Sequence, residues 1–249
     1  MTIIIGLLCQ DGVVIGSDSS ATFASGTTRT IEQQIKKVCI IDGHVIVAGT
    51  GQVGLEQRFQ AIVEKYWKEN GFRGKSNIDA MKELSGIGIR DFTSTYMKIG
   101  QYGALLAFAA NSSFGLCEFA LNDFQPELKT ADSLWYVSMG CGQVITDPFL
   151  GLMRKVFWKD KPPRISEGIF AVYWALEHTI ELNPGGINGP IQIAVSSRDS
   201  KGFSARLLEE GELSEHSENI EGAIEHLSKY KDMLQGKGQA SVSDIPKSK

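Results

Sequence analysis

The chain has 249 residues, 42% hydrophobic and 22% charged, with a net charge of −4 and its Lys and Arg scattered rather than massed. That length allows one substantial core, and the charge balance argues against nucleic acid or an anionic membrane as the main partner. Nothing approaches the roughly 18 unbroken apolar residues of a membrane span, and the apolar start carries no basic segment, so neither an anchor nor a signal peptide is expected.

Residues 2–9 (TIIIGLLC) and 13–20 (VVIGSDSS) read as two strands joined through Gln10-Asp11-Gly12, a hairpin signal. The first strand is apolar on both parities, with Ile3, Ile5 and Leu7 on one side and Ile4 and Leu8 on the other. A half-exposed strand would alternate, so this one is expected to be covered on both faces, in the middle of a layered sandwich. A turn at Gln10-Asp11 sets Thr2 opposite Ser19, whereas one at Asp11-Gly12 sets it opposite Ala21; both registers bring Thr2 to the Asp18–Thr22 end of the second strand.

A Gly/Thr/Ser-rich loop is expected over 25–30, then short strands over 37–41 and 45–48 around Asp42-Gly43. Apolar residues at helical spacing (Leu55, Phe59, Ile62, Val63, Tyr66) predict a helix over 55–70, ended by Asn70-Gly71, and a second follows over 78–99. Strands are expected over 102–110, 114–121 and 134–139, helices over 146–157 and 166–181, and strands over 191–196 and 203–208. From Ser214 the composition turns polar, which sets residues 1–213 apart from a 214–249 extension: a short helix over 219–234, then a mobile tail. Strands, two helices, strands, two helices, strands, with hairpins that demand antiparallel pairing, make an α+β four-layer αββα sandwich.

Gly49-Thr50-Gly51-Gln52-Val53-Gly54 is a literal GxGxxG between a strand and a helix. A dinucleotide fingerprint needs a βαβ unit around it. Here the strand belongs to a meander and a second helix follows the first, so no nucleotide cofactor is expected, nor any other. Cys9, Cys39, Cys117 and Cys141 lie far apart with no CxxC, and the histidines are dispersed. Buried thiols in a reducing cytoplasm are expected, without a metal site.

The ordered set Thr2, Asp11-Gly12-Val13-Val14, Asp18, Thr22, Lys37-Val38-Cys39-Ile40-Ile41-Asp42 and Ala48-Gly49 resembles the proteasome β-subunit family of N-terminal-nucleophile hydrolases. Among its members the chain looks most like the bacterial, ancestral β-subunit type. The resemblance implies a threonine-type peptidase: Thr2 becomes the N-terminal nucleophile once Met1 is removed, its own α-amine serving as base near working pH. Lys37 would place positive charge beside the hydroxyl, Asp18 would orient the lysine and amine, and the Gly49 N–H would stabilise the oxyanion. Thr22 and Gly51 would hold a peptide substrate extended.

Two positions depart from the family pattern. Cys141 stands where a serine usually supports the amine, and Asn183, in Asn183-Pro184-Gly185-Gly186, stands where Asp-x-x-Ser is usual. The nucleophile, lysine and first aspartate are kept, while their support is altered. The resemblance further implies a ring or spiral of identical subunits acting on peptides or unfolded proteins, with an ATPase partner unspecified. A catalytically silent ring or assembly protein of the same fold is the alternative reading.

Overall fold

A computed structural model describes residues 1–25, 28–98, 100–110, 112–132, 134–182, 185–200 and 202–235. Its core is two five-stranded antiparallel sheets face to face. The first runs β10-β1-β2-β11-β12 and the second β5-β6-β7-β8-β9. β1 (Ile3–Leu8) and β2 (Gly12–Ser17) are buried at every residue, as a strand apolar on both parities requires. Their pairing runs from Leu8 opposite Val13 to Ile4 opposite Ser17, and Cys9 N–H donates to Gly12 O. The turn is therefore centred on Gln10-Asp11, the register that directs Thr2 toward Ser19.

Strand two ends earlier than the apolar run suggested. The Asp18 carboxylate accepts the backbone N–H groups of Ile3 and Ser20, taking donors that a continuing ladder would use. The chain breaks from the sheet there and starts a separate hairpin of β3 (Ser20–Ser25) with β4 (Thr28–Gln34). The loop expected over 25–30 is thus a correction: Ser25 and Thr28 onward lie in strands, and 26–27 fall outside the described residues. Thr and Ile in a two-strand ribbon have good β propensity, which the Gly/Thr/Ser content had masked.

β5 (Val38–Ile41), β6 (Val45–Gly51), β7 (Tyr102–Ala110) and β8 (Ser113–Phe119) form the second sheet's meander. β9 (Pro126–Leu128) completes it, and was not expected because three residues show no periodicity. Helices α1 (Val53–Lys68) and α2 (Asn77–Ser94) cover this sheet through Phe59, Val63, Met81 and Leu84, an aromatic-rich core. α3 (Gln143–Met153), which runs into a π-helical turn over Arg154–Trp158, and α4 (Ile165–Leu182) cover the first sheet, formed by β10 (Tyr136–Gly140), β1, β2, β11 (Gln192–Asp199) and β12 (Gly202–Leu207). The result is the αββα sandwich.

α5 (Glu210–Leu234) spans 25 residues and begins well before the short helix expected over 219–234. Its start is set by Glu209 and Glu212 in a reciprocal capping box and by Arg206 gripping both Glu212 oxygens at 2.7 Å. A cap built by glutamates is a weaker sequence signal than Ser or Asp. The tail expected over 236–249 lies outside the described residues.

Candidate active site

The fold gathers Thr2, Asp18 and Lys37 at one end of the first sheet. Thr2 enters β1, Asp18 leaves β2, and Lys37 sits at the lip of β5 in the facing sheet. Lys37 Nζ lies 3.1 Å from Thr2 Oγ1, 2.7 Å from Asp18 Oδ1 and 3.2 Å from the Met1 carbonyl oxygen. Asp18 is fully buried and Lys37 nearly so. Such a pair persists in low dielectric only when its remaining lone pairs are satisfied. The Ile3 and Ser20 N–H groups do this for Asp18, each at 3.0 Å. Burial pushes the Lys37 ammonium below its usual range, against the raising influence of Asp18 and, after it, Glu56. Of the two adjacent lysines only Lys37 turns inward; Lys36 is exposed.

Opposite this triad the Thr2 nitrogen, here an amide to Met1, lies 3.4 Å from Cys141 Sγ, and that sulfur is 3.5 Å from Thr2 O. Cys141 is exposed and Cys39 half-buried, which corrects the expectation of four buried thiols; Cys9 and Cys117 are buried. Gly140 carries φ +104°, and a Cβ there would fall 2.2 Å from the Thr2 oxygen and 3.3 Å from Thr50 Oγ1. β10 therefore turns beneath Thr2 on a residue that only glycine suits. Thr50 Oγ1 reaches the same point from β6, one residue after Gly49. Gly49 lies opposite Ala104, with the Tyr102 ring so close that an added Cβ would be 2.6 Å from it.

Of the candidate substrate-contact residues, Gly51 is exposed at the end of β6 with φ +118°. Thr22, opposite Glu32 in the β3–β4 hairpin, has a buried hydroxyl without a hydrogen-bond partner. Asn183 lies outside the described residues. The loop after it is tied to the hairpin all the same: Asn188 Nδ2 and Ser20 Oγ both donate to Glu32, and Ser19 Oγ donates to Pro190 O.

Three residues that the sequence reading passed over support the site. Gln192 Oε1 accepts from Lys37 N at 3.1 Å and Val38 N at 3.4 Å, while its Nε2 donates to Ser19 Oγ and Ile35 O. One amide thus clamps the backbone on either side of Lys37; its signal was a lone polar residue in an apolar strand. Tyr102 is buried with its hydroxyl unpartnered over Gly49. Glu56 shares the buried stripe of α1 with Phe59 and Val63, an acid on the wrong face of an amphipathic helix.

Burial raises the Glu56 carboxyl to about 7, with Lys37 pulling the other way. An acid whose folded pKa is raised adds stability below its unfolded pKa and loses it as pH rises toward the folded value. Unfolding in urea is therefore expected to show the parent protein losing on the order of 3 kcal/mol between pH 4.5 and 8 relative to Glu56→Gln. A pH dependence identical in both proteins would show that Glu56 is ionised throughout.

Residues 2–107 match the family model described as proteasome subunit. A curated relative, proteasome subunit beta 1 of Thermococcus gammatolerans, is 40% identical over 53 residues, 21% of this chain and 25% of that protein. The match thus spans about a quarter of that relative's length. Among solved structures, an Anbu (Gly-1) mutant from Hyphomicrobium sp. strain MC1 superposes with a TM-score of 0.67. It is 13% identical and covers 92% of this chain and all of its own. That likeness establishes a shared fold across both sheets and the helix layers.

Proposed function

We propose that this chain, a member of the proteasome β-subunit-like family of N-terminal-nucleophile hydrolases, is a threonine-type peptidase working in a cytoplasmic homo-oligomer. The observation that carries the proposal is the Lys37 ammonium held 3.1 Å from Thr2 Oγ1 by a fully buried Asp18. Removal of Met1 frees the Thr2 amine beside the hydroxyl it must deprotonate. The hydroxyl oxygen then attacks the scissile carbonyl carbon, its proton passing to the amine. Lys37 lowers the cost of developing negative charge on that oxygen. The Gly49 N–H faces the tetrahedral oxyanion, and collapse expels the leaving amine with the proton. Water, activated by the same amine, hydrolyses the Thr2 ester. Cys141 replaces a hydroxyl with a weaker hydrogen-bonding thiol beside the amine, which favours a modest turnover.

Subunits arranged as a ring or spiral would shield the site from folded cytosolic proteins and admit extended peptides along Thr22 and Gly51. Intact mass of the purified assembly is expected to lack Met1, and an epoxyketone or β-lactone probe is expected to add its mass at Thr2. Thr2→Ala should abolish labelling. A mature protein that retains Met1, or labelling that survives Thr2→Ala, would overturn the enzyme reading in favour of a silent member of the same assembly type.

A further inference from the structure

A cleft of about 480 Å³ opens where α3, α4 and α5 converge, lined by residues that the Thr2 site does not use. Phe157 and Trp158 enter it from the π-helical turn that ends α3, Glu167 and Phe170 from α4, and Glu215 and His216 from α5. The turn is closed by Lys159 N–H donating to Arg154 O at 2.7 Å, and Lys159 stops the helix at φ +53°. Such π turns are rare and concentrate at functional sites. Phe157 and Phe170 meet edge to face with centroids 6.0 Å apart, and Phe157 is left 52% exposed.

The chemistry of these walls is one-sided. Three aromatic rings and Met153 supply an apolar lining, two carboxylates join it, and no Lys or Arg lines the cleft. Neither Glu167 nor Glu215 forms an ion pair among the described residues; Glu167 accepts only the Arg164 backbone N–H at the start of α4. His216 Nδ1 is buried without a hydrogen-bond partner. Burial holds this imidazole below its usual pKa, against the raising influence of Glu215 and Glu212. The ring is therefore neutral near pH 7, and with its proton on Nε2 it offers Nδ1 as an acceptor. Such walls repel anions, and an uncharged apolar guest would strip water from the carboxylates without replacing it. A hard metal ion needs about six oxygen ligands, and no metal-binding cluster occurs among the described residues. An organic cation meets each requirement, since the aromatic faces and the carboxylates both attract its charge.

We propose that this cleft binds a primary alkylammonium ligand, its head shared among Glu167, Glu215 and His216 Nδ1 and its chain laid over Phe157, Trp158 and Phe170. The three N–H donors of an ammonium match those three acceptors. Cation–π attraction adds to the hold on the head, and the chain covers apolar surface that Phe157 leaves open. Because the walls come from three successive helices, the ligand also ties α5 to the helix layer over the first sheet. The cleft shares no residue with the Thr2 site, so amine binding and Thr2 labelling are independent observables.

The test titrates n-pentylamine into the full-length protein by isothermal titration calorimetry, with 1-pentanol and pentanoate as chain-matched controls. The amine is expected to bind saturably and to raise the midpoint of thermal unfolding. 1-Pentanol should bind at least about tenfold more weakly and pentanoate should not bind, because charge-assisted bonds supply most of the affinity. Glu167→Gln combined with Glu215→Gln keeps both shapes and leaves the Arg164 N–H an acceptor. It should weaken the amine by about tenfold or more with the unfolding midpoint of the unliganded protein unchanged. Phe157→Ala, at an exposed position, should weaken it by about threefold or more, and it carries the decision if the double variant is less stable. No saturable amine binding, or equal affinity for amine and alcohol, would overturn the proposal. Amine affinity that these variants leave unchanged would place the cation elsewhere and overturn it as well.

Discussion

Lys37→Ala is expected to cost both turnover and fold, and the two losses are separable. Turnover of a fluorogenic peptide should fall by about 10²–10⁴-fold, the range for losing a positioned acid–base or charge-stabilising group. Stability should fall by about 3–5 kcal/mol, because removing one partner leaves a buried charge uncompensated. Asp18 keeps its two backbone donors, which places the expected value toward the lower end. Replacing both partners, Asp18→Asn with Lys37→Met, should recover most of the stability in urea unfolding and none of the turnover. Recovery of both would mean that the pair is architectural and that Thr2 needs neither; a stable but inactive Lys37→Ala would mean that the backbone N–H groups of Ile3 and Ser20 are enough to hold Asp18.

Gly140→Ala is expected to damage the site from beneath. The residue has φ +104°, and its new methyl would meet the Thr2 carbonyl oxygen at 2.2 Å, a backbone atom that cannot rotate away. Thr2 has to move, and displacement of a reacting atom by about 1 Å costs about 10²-fold in rate. The strained backbone adds about 1–3 kcal/mol of destabilisation. Gly43→Ala is the control, with φ +69° but open space around the added carbon. It should show the conformational penalty with turnover intact. Equal turnover in the parent and Gly140→Ala would show that β10 can yield without moving Thr2.

Much of the architecture was legible because it depends on local pattern. Ile3, Ile4, Ile5, Leu7 and Leu8 announced a strand buried on both faces, and the helical spacing of Phe59, Val63 and Tyr66 announced a covering helix. Hairpin turns dictated antiparallel order, which with paired helices leaves little besides the αββα sandwich. The decoy GxGxxG was dismissed on the same grounds, and β6 does lie in an antiparallel meander that leads into two successive helices.

The supporting parts of the site were not legible from local pattern, since each depends on a contact between residues far apart in sequence, and Cys141 was assigned beside the amine only through the family resemblance. Gln192 meets Lys37 across 155 positions and Cys141 meets Thr2 across 139. Composition had suggested that Cys141 was buried, and only β10 turning at Gly140 puts its sulfur beside the Thr2 nitrogen. The break after Ser17 likewise needed Asp18 to find the Ile3 N–H before the strand could be seen to end.

By itself, then, the sequence determined the two sheets and the hairpin register options, because turns and periodicity act over a few residues, while the candidates Thr2, Asp18 and Lys37 came from the resemblance to the proteasome β-subunit family. Only the tertiary structure decided which register holds and that Glu56, Gln192 and Gly140 complete the surroundings of Thr2. Those choices are made by packing between layers, where a side chain's burial and partners belong to whatever strand arrives opposite it.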